Sequence, residues 1–200
     1  NEIKHVGGID RGLRQLTTTY DEKGQTLFIN GQDIIKKRRH FKSLRSQLQS
    51  KNTKSSKKRL KSIEKRENRW MNDVNHQISK ALVDKYGTNT LFVLEDLTGV
   101  TFDTVNYRKK ENRYEHMSWS FFDLEKKLIY KAYQNKSMVI NVSARYTSQR
   151  CPKCGSICKN NRLKFEHLFR CKQCEYQSND DRIAAMTVSY THLTLPTSDL

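Results

Sequence analysis

Four cysteines, Cys151, Cys154, Cys171 and Cys174, follow the pattern C-x2-C-x16-C-x2-C in a chain whose only other cysteine is Cys158. Thiolates at this spacing close a tetrahedral zinc site, and with all four positions filled by protein the zinc is expected to be structural. Cys158 and His167 are spare ligands that would serve only in an irregular set. An odd cysteine count and a chain without a signal-peptide layout fit a reducing, cytoplasmic setting, which favours metal over disulfides. Two separate redox motifs are the alternative reading.

Three carboxylates raise a second possibility. Asp10 closes the apolar run VGGID, Glu95 closes LFVLED, and Asp181 stands at the start of the helical pattern DDRIAAM, with Asp180 as its competitor. Acids at strand ends of an α/β sheet can converge although distant in sequence. Convergent carboxylates raise one another's pKa, and a hard divalent cation, Mg2+ or Mn2+, resolves that conflict. Two such ions can clamp the attacking and leaving oxygens of a phosphodiester. Taken singly, each acid is more often a turn or cap residue.

The elements that must position these residues alternate in type. HVGGID, RQLTTTY and TLFIN are short β-prone runs that suggest a meander. Two amphipathic helical stretches follow, with QSKNTKSSKK between them as an expected loop. Then come the buried strand NTLFVLEDL, a helix over 118–134 and the strand SMVINVSA. The order β-β-β-α-α-β-α-β predicts one mixed sheet covered by helices. A final short helix is expected at DDRIAAM.

Lys and Arg number 38 against 21 Asp and Glu, a formal charge of +17, which points to a polyanionic partner. Between Lys36 and Arg69 fifteen bases face only Glu64 and Glu67. We therefore read 36–86 as a basic helical hairpin, with Lys57, Lys58, Arg59 and Lys61 as phosphate contacts. Arg108, Lys109 and Lys110 supply a second basic stretch. No apolar run reaches the roughly 18 residues of a membrane span. Lys and Arg crowd the cysteine segment too, interleaved with Phe165, Phe169 and Tyr176. These aromatics could touch nucleic acid or form the segment's own core.

GIDRG, LEDL, TSQRCPKCG, CKQC and NDDRIAAM, in this order and spacing, resemble the transposon-encoded TnpB (OrfB) proteins, RNA-guided DNA endonucleases related to type V CRISPR effectors. The resemblance runs from about Val6 to Met186. It implies an RNase H-like (RuvC) α/β nuclease domain over 1–148 and 177–187, with a zinc ribbon inserted at 149–176. It further implies that Asp10, Glu95 and Asp181 carry the catalytic metals, and that DNA and a guide RNA are the partners. Family members show Asp-x-Asn-Ala-Ala-x-Asn at the third motif. Laid over Ala184 and Ala185, this puts the acid on Asp181, Ile183 at the first Asn and Thr187 at the second. A zinc-ribbon binder without catalysis and a strand-transferring transposase are the alternative functions.

Two features concern the ends. The chain begins at Asn1 without Met and reads as a fragment, lacking the N-terminal guide- and target-recognition domains that the resemblance implies. Its own activity is left open. VSYTHLTLPT, Val188 to Thr197, reads as a translated sequencing adaptor, so 188–200 is expected to be a non-native tail without helix.

Overall fold

The computed structural model describes residues 2–12, 14–97 and 121–191. Strands β1 (His5–Arg11), β2 (Gln15–Asp21) and β3 (Thr26–Asn30) form an antiparallel meander. Helices α1 (Gln32–Lys51) and α2 (Lys54–Tyr86) follow, then β4 (Thr90–Asp96), α3 (Phe121–Gln134) and β5 (Met138–Ser143). Because β4 pairs in parallel with both β1 and β5, the mixed sheet has the order β3-β2-β1-β4-β5.

β4 is buried from Thr90 to Glu95, as a strand covered on both faces must be. Phe92 and Leu94 join a core with Met71, Ile78 and Leu82 of α2 and Leu124 and Leu128 of α3. Leu91 and Val93 pack instead with Val142 and Val188 on the opposite face. The two-residue period carries Glu95 onto this second face. In β1, Ile9 belongs to the α2 core, so Gly8 and Asp10 also face the second side.

The last helix, α4 (Asp180–Thr191), covers that side. A Cβ on Gly8 would fall 2.3 Å from the Ala185 carbonyl oxygen and 2.5 Å from the Ser189 nitrogen, so only glycine admits α4 this close to β1. Gly8→Ala is expected to lift α4 from the sheet and to cost about 1–3 kcal/mol, the usual range for overpacking. An unchanged denaturation midpoint would contradict this seat. α4 also corrects the expectation of no helix from Val188 onward. Val188 lies one turn past Ala184 and is fully buried, so its apolar contacts extend the helix to Thr191. Residues 192–200 lie outside the described residues.

Only Asn52 and Thr53 join α1 to α2, a much shorter loop than the Ser/Lys-rich segment suggests. Asn52 adopts a left-handed φ of 46°, and a capping box starts α2 at once. The Thr53 Oγ1 accepts from the Ser56 amide at 3.1 Å, while the Ser56 Oγ accepts from the Thr53 amide at 2.9 Å. Phe41, Ile63 and Trp70 line the seam, and Glu67 is buried between Arg38 and Arg45.

The cysteine segment builds a small second sheet from β6 (Arg162–Leu163), β7 (Leu168–Arg170) and β8 (Gln177–Asn179). β8 lies past the expected ribbon limit at Tyr176 and runs directly into α4. Among the described residues, no helix is long and apolar enough to cross a membrane.

Candidate functional site

Gly8 lies beside Val93 and Ile9 beside Leu94 in the parallel β1–β4 register. One further step sets Asp10 beside Glu95 at the carboxyl ends of both strands. The first turn of α4 brings Asp181 to the same place, and all three acids line one cleft of about 920 Å³. Arg14, Thr147, Arg162 and Asp180 share its walls.

Charge and burial conflict there. Burial pushes the Asp10 carboxyl well above the usual carboxylate range, the charges of Glu95, Asp181 and Asp180 push it further, and Arg162 opposes them. Glu95 is also raised, first by burial, against a Thr147 hydrogen bond and the charges of Arg11 and Arg162. Among the described residues, the buried Glu95 Oε1 has no hydrogen-bond partner. A hard divalent cation fits this donor set, because it would partner that oxygen and offset the repulsion among the acids.

The neighbouring acids of α4 differ. The Asp181 side chain is 15% exposed and accepts from an Arg14 guanidinium nitrogen at 2.7 Å. Asp180 is only 1% exposed and accepts from the Arg162 Nε at 2.9 Å. Asp180 thus points to the ribbon.

Sequence reading missed the arginines around the acids. Arg11, directly after Asp10, is buried. It donates to the Glu95 carbonyl oxygen at 2.5 Å and to the Glu125 Oε2 at 2.6 Å, while the Glu125 Oε1 accepts from Asn141 at 2.7 Å. This chain buckles β1, β4, α3 and β5 together at the cleft end. Its one sequence signal was a second charged residue, directly after Asp10, at the end of the apolar run VGGID.

In the ribbon, the four cysteine sulfurs all lie within 4.8 Å of one another. Cys151 and Cys174 approach to 3.6 Å, and Cys154 and Cys171 to 3.5 Å. Zn–S bonds of about 2.3 Å imply tetrahedral edges of about 3.8 Å, so the group could hold that ion. Burial opposes ionisation of the Cys171 thiol, yet amides of Cys174 and Gln173 donate to its sulfur and bring it down to about 6. Cys158 stands outside this group, and His167 lies instead 3.9 Å from Asp180. Phe169 is ribbon core with Tyr176 packed against it, whereas Phe165 is fully exposed.

The basic hairpin has a direction. Tyr86 meets Gly7 near the start of β1, whereas Trp70 and Val74 line a groove with Leu16, the second residue of β2, opposite the end of β1. α2 therefore runs antiparallel to β1, and its N-terminal half projects past the edge where Asp10 and Glu95 sit. Lys57, Lys58, Arg59 and Lys61 are exposed there, about 40 Å along the helix from Tyr86. Arg108, Lys109 and Lys110 fall outside the described residues.

Sheet order, strand-end acids and the closing helix define a RuvC-type, RNase H-like α/β fold with a cysteine ribbon inserted before its last helix. Two family models match in turn: residues 1–99 fit the one described as OrfB_IS605, probable transposase, and residues 121–188 fit the Cas12f1-like TNB domain. The chain belongs to this OrfB (TnpB) family. It is 34% identical over 142 residues to the CRISPR-associated endodeoxyribonuclease Cas12f1 of Sulfoacidibacillus thermotolerans, covering 68% of this chain and 31% of that protein. It is 23% identical to TnpB-like protein L79 of Acanthamoeba polyphaga mimivirus, across 94% of this chain and 37% of that one. The chain thus spans about a third of each relative. A Cas12f1–sgRNA–target DNA complex has the same fold, with a TM-score of 0.71, 20% identity and coverage of 94% of this chain and 50% of that one.

Proposed function

We propose that this chain carries the DNA-cleaving centre of a transposon-associated, RNA-guided endonuclease. In this reading Asp10, Glu95 and Asp181 hold Mg2+ or Mn2+, and Cys151, Cys154, Cys171 and Cys174 hold a structural zinc. The observation that carries it is the convergence of three acids, two with raised pKa and one with an orphaned buried oxygen, in a single cleft. A relative named as an endodeoxyribonuclease and a neighbour solved with sgRNA and target DNA support DNA and guide RNA as partners.

Bound divalent cations supply Lewis acidity and a nucleophilic water at neutral pH. The chain's own part is geometric. The β1–β4 register fixes Asp10 against Glu95, and the glycine-tight seat of α4 fixes Asp181. Arg162 and Lys164 on the cleft wall offer cationic donors to a phosphodiester.

The protein carrying this chain, loaded with guide RNA, should cut matching DNA with Mg2+ and stop in EDTA. Metal-independent cleavage, or none, would overturn the reading. The hairpin gives a second expectation. Reversing the charges of Lys57, Lys58 and Arg59 should weaken nucleic-acid binding and flatten its log–log salt dependence by about 3, close to one per lost phosphate contact. An unchanged slope in filter-binding or anisotropy titrations would remove the hairpin from the interface.

A further inference from the structure

We propose that Asp180 is a positioning residue: it fastens the cysteine ribbon to the helix bearing Asp181 and holds Arg162 across the cleft. The inference rests on Asp181, not Asp180, being the metal ligand.

Both oxygens of Asp180 are already engaged. The Oδ2 accepts from the Arg162 Nε at 2.9 Å, and the Oδ1 accepts from the Asp181 amide at 3.0 Å. One carboxylate thereby ties β6 of the ribbon to the first turn of α4. The backbone repeats the tie, since the Asp180 amide donates to the His167 carbonyl oxygen at 3.2 Å. A His167 ring nitrogen at 3.9 Å and an Arg14 nitrogen at 4.0 Å complete the polar surroundings of a side chain only 1% exposed. With both oxygens so engaged, Asp180 is committed to the ribbon and to the helix start, whereas Asp181 is the more open of the two acids.

The consequence falls on Arg162. Its side chain is long, 29% exposed and rooted in a two-residue strand, so nothing in its own element fixes it. Holding it by Nε leaves the terminal nitrogens free to face the acids, and one lies 4.0 Å from the Asp181 Oδ1. Without Asp180 this guanidinium would be free to close on the ligands themselves, and the ribbon hairpin would lose its polar hold on α4.

Three measurements on Asp180→Ala, Arg162→Gln, the double variant and Asp181→Ala test the proposal. In calorimetric titration with Mn2+, Asp180→Ala should bind within about threefold of the parent, whereas Asp181→Ala should lose binding. In single-turnover cleavage, Asp180→Ala and Arg162→Gln should each be slower by about 10- to 100-fold, and the double variant no slower than Arg162→Gln alone. Release of zinc to a chelator should quicken equally in both single variants and in the double. Loss of Mn2+ binding by Asp180→Ala would make it a ligand and overturn the proposal. Additive slowing in the double variant would overturn the joint, and unchanged zinc release would overturn the fastening. Asp180→Asn can keep the contact to the Asp181 amide through its one oxygen but sets an NH2 donor against the Arg162 Nε, so it should fall between. Parent behaviour of Asp180→Asn in all three assays would also defeat the idea. If the parent neither cleaves nor binds Mn2+, the reading of the metal centre fails, while the zinc-release comparison still decides the joint.

Discussion

Asp10→Ala should lower guided DNA cleavage by at least about a thousandfold while leaving nucleic-acid affinity within about twofold, because in the proposed centre the lost oxygens serve the metals and not the DNA. Glu95→Ala and Asp181→Ala should do the same. A double change should cost little more than a single one, since ligands that hold one metal centre act as a unit. Mg2+ should support the reaction and Ca2+ should support it poorly, its coordination being larger and looser. The same site makes an opposite prediction for stability. Burial and neighbouring acids raise the Asp10 pKa in the folded chain, so its ionised form destabilises the metal-free fold. Asp10→Asn should therefore raise the metal-free melting temperature. The sign gives the pH window: the gain should be absent below the ordinary carboxylate range and grow as pH rises through the elevated folded value. Metal-dependent cleavage by Asp10→Ala at the parent rate would refute the assigned centre.

The convergence of Asp10 and Glu95 was legible because each closes an apolar run, and strand-ending acids share an edge once the strands are neighbours in parallel. The crossover through α1 and α2 leads from β3 to β4, but it does not say that β4 will lie beside β1 on the far side of the meander. Asp181 was legible only through its spacing to Ala184 and Ala185, since an acid at a helix start is usually no more than a favourable dipole partner. What stayed hidden were long-range side-chain contacts. Nothing local in GIDRG says that Arg11 will reach the Glu95 carbonyl, and no periodicity pairs Asp180 with Arg162. The loop between the helices was overestimated for a different reason. Ser and Lys content suggests a turn, but a two-residue connection with an αL Asn and a capping box needs only Asn52, Thr53 and Ser56.

Removal of the ribbon metal is expected to be felt in α4 before it is felt in the rest of the sheet. The apolar contacts of the molecule divide unevenly. One cluster joins Ile9, Phe92 and Leu94 to α2 and α3. Another joins Cys151, Phe169 and Cys171 of the ribbon to Tyr20 and to Ile183, Ala185 and Met186 of α4. Two of the four clustered cysteines therefore share one core with the helix that carries Asp181. Four thiolates this close repel one another unless a cation neutralises them, and the binding energy of such a metal is folding energy. Purified protein prepared without chelators should hold about one zinc per chain, and Cys151→Ser or Cys174→Ser should release it. Amide exchange should then speed up through β7 and over Ile183 to Val188 by about tenfold or more, while amides of α2 facing Phe92 and Leu94 keep their protection. Cleavage should fall with α4 protection, because Asp181 loses its fixed seat beside Asp10 and Glu95. Equal exchange in both clusters after zinc release would mean that the ribbon does not brace the helix. Absence of zinc in the untreated protein would remove the ribbon metal altogether.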